Sequence, residues 1–96
     1  MIEIAAASIW WVYIVECQDG TYYTGVARDV TTRLARHNTG RGAKYTRGRG
    51  PVKLVYSEPQ SDRSTALKRE AEIKKLSRGE KQVLIDDFKK GAQKLT

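Results

Sequence analysis

Apolar residues are densest in one early run, IWWVYIV at 9–15, where aromatic and β-branched side chains predominate. That composition predicts a strand over WWVYIVEC. Asp19-Gly20 is a turn signal, after which TYYTG (21–25) resumes as a second strand, so the two segments read as a hairpin. The loop length decides which side chains share a face. A two-residue loop sets Tyr23 opposite Glu16 and sends Tyr13 to the other face. A three-residue loop, Gln18 to Gly20, sets Tyr23 opposite Val15 and brings both tyrosines to one face. Gly20 can take the left-handed conformation that the longer loop requires. A single site containing both tyrosines needs that loop or an equivalent bulge.

The pattern then changes to helical spacing. Asp29 can cap a helix over about Val30 to Asn38, ended by Asn38-Thr39-Gly40. Val30 and Leu34 anchor it, while Asp29, Arg33 and His37 recur every four residues. GRGAKYTRGRGP (40–51) reads as a flexible basic loop, closed by Pro51, and VKLVYSE (52–58) as a third strand. Ser61 or Asp62 starts a further helix reaching about Ser77. Ala66, Leu67, Ala71 and Ile73 mark its inner side; Glu70 shares or borders that stripe, and Glu72 faces away. Ser77 and Glu80 fit a capping box leading into a last helix with Val83, Leu84 and Phe88, and the closing KKGAQKLT is expected to fray. The order β-β-α-β-α-α predicts an α+β fold, a small three-stranded, mostly antiparallel sheet flanked by helices.

Ninety-six residues make one domain, 1–96, with its core at about 10–88. Eighteen Lys and Arg against eleven Asp and Glu leave a formal charge of +7, which favours polyanionic partners such as DNA or RNA. Cys17 is the only cysteine, so an intrachain disulfide and an all-cysteine zinc site are both excluded. The apolar N-terminal run has no basic leader, breaks at Glu16 and is too short to span a bilayer. The expectation is a cytoplasmic protein without membrane association. No obligate protein partner is evident, and the oligomeric state is open.

Candidate chemistry rests with Tyr13, Tyr23, Arg33, His37 and Glu70, and with Arg41, Lys44, Arg47 and Arg49 in the basic loop. No Gly-rich phosphate loop with its lysine, nucleophile-elbow serine or obvious paired-carboxylate site is present. The parts suit attack on a phosphodiester instead. An arginine holds phosphate through paired hydrogen bonds, a carboxylate holds a divalent cation, and a tyrosine or histidine takes a proton from water. Trp10 and Trp11 are adjacent, so they point to opposite sides, one to the core and the other over an edge or a partner.

Val12-Tyr13, Tyr23-Thr24-Gly25, Arg33, His37 and Glu70 together resemble the GIY-YIG nuclease domain. The closer resemblance is to its small stand-alone bacterial members, the UPF0213 group, through RHNTG (36–40), KYT (44–46) and ALKRE (66–70). The resemblance implies divalent-metal-dependent endonuclease activity on DNA, structured or branched DNA included, with Mg²⁺ or Mn²⁺ as cofactor and RNA as a lesser partner. It makes Tyr23 the general base or water-positioning group, Tyr13 its partner, Arg33 the phosphate contact, His37 an assistant to the attacking group and Glu70 the metal ligand. Gly25 corresponds to a glycine that lets backbones approach closely below the site. The basic loop, with Arg41, Lys44, Arg47 and Arg49, is expected to grip the DNA backbone. The first motif reads Trp11-Val12-Tyr13 without its opening glycine; Thr24 replaces an aliphatic residue, and Val26 stands where larger members carry lysine.

Two other readings use the same residues. A non-catalytic nucleic-acid-binding module would retain the nuclease fold and the basic surface without turnover. A small protein-interaction domain would use its charge for solubility and an exposed tryptophan for a partner. In either, Tyr13 and Tyr23 are strand aromatics, and Arg33 and Glu70 form a salt bridge.

Overall fold

The dense first segment becomes the middle of a sheet. The computed structural model describes residues 9–39 and 50–95, and in it β1 (Trp10–Glu16) lies between β2 (Tyr22–Ala27) and β3 (Lys53–Gln60). Both pairings are antiparallel. A middle strand is covered on both faces, so Val12, Tyr13, Ile14 and Val15 are all buried in succession. One face carries α1 (Val30–Asn38); the other carries α2 (Arg63–Lys74) and α3 (Arg78–Leu95). The element order and fold class are those the sequence pattern indicates.

The hairpin has the longer loop. Val15 stands opposite Tyr23 and Glu16 opposite Tyr22. The Cys17 N–H donates to the Thr21 carbonyl at 2.8 Å, and the Gly20 N–H donates to the Cys17 carbonyl at 2.9 Å. Gln18, Asp19 and Gly20 therefore form a three-residue loop, with Gly20 at φ +85°. The Asp19 carboxylate accepts from both the N–H and the hydroxyl of Thr21. This register puts Tyr13 and Tyr23 on the α1 face of the sheet.

Alternation along β1 divides the core in two. Val12 and Ile14 pack with Val55, Ala66, Ile73 and Ile85 under α2 and α3. Tyr13, Val15 and Cys17 pack with Ala27 and Val52, joined by Val30 and Leu34 of α1. Opposite β1, the pairing shifts so that Ile14 faces Tyr56 and Val15 faces Leu54, leaving Val55 as an extra residue. The bulge lets successive residues, Val55 and Tyr56, both serve the α2–α3 side. Trp10 packs against the edge of that core, and Trp11 is half-buried on the other face.

The inner stripe of α2 differs from the expected one. Ala66 and Ile73 are buried, with Arg69 and Glu70 half-buried between them at helical spacing. Leu67 and Ala71 face outward, because a stripe centred on 66, 69, 70 and 73 leaves them to the side. Arg69 satisfies its charge on Glu58 of β3, at 3.1 Å, and on Glu72. Glu58 also accepts from Tyr56 and Gln60. In α3, Ile85 enters the core, while Val83 is 58% exposed. β3 continues past Pro59, which an edge strand tolerates because its missing N–H can face outward.

Helix boundaries follow local chemistry. Asp29 and Asp62 accept from the backbone N–H groups of Thr32 and Thr65, and Ser77 and Glu80 form the expected reciprocal cap. α3 runs to Leu95, through the segment expected to fray. The Asn38 side chain accepts from the Val52 N–H at 2.7 Å and donates to its carbonyl at 3.3 Å, pinning the end of α1 to the start of β3. Among the described residues, no helix is long and apolar enough to cross a membrane.

Gly20→Ala should destabilise the fold by about 1 kcal/mol, since a Cβ is unfavourable at this φ. Urea unfolding should show a lower midpoint with an unchanged m value.

Candidate active site

Strand pairing places Tyr13 opposite Gly25. A Cβ on Gly25 would lie 2.6 Å from the Tyr13 hydroxyl oxygen, 2.8 Å from its Cζ and 3.1 Å from Cε2 of Tyr23. The Tyr13 ring thus crosses Gly25 and carries its hydroxyl over the edge strand β2. The atoms nearest to the place a side chain there would take belong to aromatic side chains.

α1 delivers the third member. Val30, Leu34 and His37 recur on the side facing the sheet, and His37 is only 2% exposed. Its Nε2 lies 3.0 Å from the Tyr13 hydroxyl. The His37 ring centroid is 5.3 Å from that of Tyr23 and 6.0 Å from that of Tyr13, and the two tyrosines are 6.5 Å apart. Tyr13, Tyr23 and His37 therefore form one cluster. Arg33, one turn earlier, is exposed, so Arg33 and His37 do not share a solvated face. A 40° offset between residues four apart lets one helix bury His37 and leave Arg33 at the boundary.

Burial, and secondarily the field of Arg33, hold the His37 imidazole below its ordinary pKa, so it is neutral at pH 7. Burial also pushes the Tyr13 hydroxyl well above the usual phenol range; Tyr23 and Glu70 add to the rise, and Arg33 opposes it. The Tyr13–His37 hydrogen bond joins two neutral groups. Tyr13 donates when the imidazole proton sits on Nδ1 and accepts when it sits on Nε2. The charges of Arg33 on α1 and Glu70 on α2 are both felt at Tyr13.

Glu70 has a side chain 18% exposed and an ion pair to Lys74, one turn along α2, at 3.4 Å. This ion pair lies within the helix, unlike a cross-sheet bridge to Arg33. Among the described residues, no group of three or more His, Cys, Asp or Glu side chains could hold a metal. A lone half-buried carboxylate fits Mg²⁺ or Mn²⁺ if water and substrate oxygens supply the remaining ligands, and does not fit a protein-built cage.

Arg41, Lys44, Arg47 and Arg49 lie outside the described residues. A different basic surface adjoins Arg33. It is a cleft of about 390 Å³ lined by Trp10, Ala27, Arg28, Asp29, Thr32, Arg33 and Arg36. Asp29, Thr32, Arg33 and Arg36 recur at i, i+3, i+4 and i+7, a helical face the sequence already displays. Its partners Trp10 and Arg28 come from strand ends and could be joined to it only through the fold.

The motif order, the sheet register and the cluster it assembles define a protein class. Residues 9–82 match the model of the GIY-YIG catalytic domain, and the chain belongs to that family. Its relatives include UPF0213 proteins. One from Halobacterium salinarum is 56% identical over 74 residues, 77% of this chain and 96% of its own. Another, from Staphylococcus epidermidis, is 53% identical over 77 residues, 80% of this chain and 94% of its own. The solution NMR structure of a UPF0213 protein from Bacillus halodurans is similar with a TM-score of 0.53 and 46% identity, covering 81% of this chain and 83% of that one. An E. faecalis protein, also solved by NMR, gives a TM-score of 0.57 at 40% identity, covering 83% and 85%.

Gly25→Ala should displace the Tyr13 hydroxyl from His37 and destabilise the protein by about 1–3 kcal/mol. Thermal unfolding, together with loss of the Tyr13–His37 contact in NMR spectra, would register both effects. His37 is the sole histidine, so its ring resonances can be followed without ambiguity. They should titrate below about 6.5, the unperturbed value. The unfolded chain binds a proton here before the folded one does, so His37 stabilises the fold fully above about pH 6.5. That contribution should diminish as pH falls from there toward the folded pKa, and His37→Asn should remove this part of the pH dependence.

Proposed function

We propose that this chain is a divalent-metal-dependent endonuclease that hydrolyses DNA phosphodiester bonds in the cytoplasm. The observation that carries the reading is the convergence of Tyr13, Tyr23 and His37 at the β2 edge, where the charges of Arg33 and Glu70 are both felt at Tyr13. Tyr23 is half-buried whereas Tyr13 and His37 are 2% exposed, so Tyr23 is the phenol best placed to meet an attacking water. It orients that water, whose oxygen bonds to phosphorus as the P–O bond to the leaving sugar oxygen breaks; the proton released by the water passes to solvent, which returns one to the leaving oxygen. The buried Tyr13–His37 pair fixes the ring against which Tyr23 packs, and neutral His37 can accept a hydrogen bond from Tyr13. Arg33, exposed beside them, holds the phosphate through paired N–H donors. Glu70 would hold Mg²⁺ or Mn²⁺, which when bound supplies positive charge for the leaving oxygen.

A second reading has its own support. Tyr13 and His37 are buried and bonded to each other, an arrangement that also suits a binding module with a retained nuclease scaffold. The two readings separate on turnover. Labelled single-stranded, duplex, flap, nicked and branched DNAs should be cleaved by the wild type with Mg²⁺ or Mn²⁺ and not with EDTA. Arg33→Ala and Glu70→Ala should each lower the rate at least about 100-fold, on the scale of losing a charge-stabilising group, while circular dichroism shows an intact fold. Salt-sensitive DNA binding without cleavage of any substrate would favour the binding module.

A further inference from the structure

The cleft beside Arg33 has features the proposed chemistry does not use. Arg28 and Arg36 are exposed and line it together with Arg33, setting three guanidinium groups along one depression. The one acid in the lining is Asp29. Its carboxylate is engaged by the Thr32 N–H at 3.1 Å and the Thr32 hydroxyl at 2.9 Å, which ties it to the helix cap. Trp10 forms the far wall, and it holds two cations against its ring. The Arg28 guanidinium carbon lies 5.3 Å from the ring centroid and that of Arg63, from the start of α2, lies 5.9 Å. Such contacts are favourable and cost a guanidinium none of its in-plane N–H donors. Trp10 also packs against the core, so the platform is fixed to the sheet.

Resting on the nuclease reading, we propose that this cleft binds the phosphates next to the scissile one. Arg33 is shared between site and cleft, and Arg36 and Arg28 continue the cationic track away from it, with Arg63 beyond the tryptophan. The occupant is the sugar–phosphate backbone of the cleaved strand. A single inorganic phosphate would engage only one part of a surface that spans two helices and two strand ends. Trp10 is a positioning residue, acting through Arg28 and Arg63.

The test is fluorescence anisotropy with labelled duplex and single-stranded oligonucleotides, in EDTA so that no turnover intervenes, across a range of salt concentrations. Arg28→Gln with Arg36→Gln should weaken binding at least about tenfold. It should also reduce the slope of log Kd against log salt by about 1.8 on duplex, the share of two phosphate contacts. Trp10→Leu, which keeps apolar cover over the core, should weaken binding about threefold alone and much less in the Arg28→Gln background. A purely structural role would instead give the same loss in both backgrounds. Unchanged affinity and slope in the folded double variant would overturn the proposal, whatever the cleavage assays show. Weakened binding with a reduced slope, in a protein that cleaves nothing, would uphold the cleft and overturn the nuclease reading. Absence of DNA binding by the wild type would overturn both.

Discussion

The missing side chain at Gly25 is the constraint on which the rest of the site depends. Tyr13 belongs to the middle strand, and its hydroxyl reaches the β2 edge only by crossing the place where a Cβ would stand, 2.6 Å away. Without that crossing the hydroxyl would not meet His37 Nε2, and His37 would be a buried imidazole lacking this partner. Everything else is arranged about this contact. The three-residue loop sets the register that opposes Tyr13 to Gly25 and brings Tyr23 to the same face. The Asp29 cap starts α1 at the residue that leaves His37 facing inward, and Asn38 fastens the helix end to β3.

Burial gives the contact its electrical character. Water is excluded from Tyr13 and His37, so both favour their neutral forms, one by a raised and the other by a lowered pKa. Arg33 contributes to both shifts but with opposite meaning. It disfavours imidazolium at His37 and favours phenolate at Tyr13. A proton moved from Tyr13 to His37 would thus be helped at the tyrosine and resisted at the histidine by the same guanidinium. On the nuclease reading, a phosphate docking on Arg33 would soften both influences and so link its docking to the proton affinity of the pair.

Much of this was legible in the chain. The apolar run of β1 and the Asp29 and Ser77 caps are local signals, readable because local chemistry decides them. The sharing of a face by Tyr13 and Tyr23 turns on loop length, which the sequence narrows to two alternatives and the strand pairing decides. Elsewhere a nonlocal feature decides the outcome. Leu67 and Ala71 looked internal by type, yet the α2 stripe turns to centre on Arg69 and Glu70 because Glu58 of a distant strand neutralises Arg69. The basic cleft is not a local pattern, because two of its lining residues, Trp10 and Arg28, join the helix face only through strand pairing and the turn into α1. Gly25 was recognised as necessary, but which group presses against it is a property of the fold.

The position of Glu70 on that α2 stripe has a further consequence. Half-buried, it is held where its charge is felt at Tyr13, and its ion-pair partner is Lys74, one turn away and 54% exposed. An exposed lysine four residues along a helix is a weak partner, worth a few tenths of a kcal/mol. It keeps the carboxylate from standing alone without competing strongly for it. One carboxylate is also a weak ligand for a hydrated divalent ion, since most of the coordination shell must come from elsewhere. Substrate oxygens held by Arg33 are the natural source, so affinity for the ion should depend on the phosphate already being in place. In the proposed nuclease, the same geometry that makes the carboxylate look solitary would thereby couple the ion to the substrate.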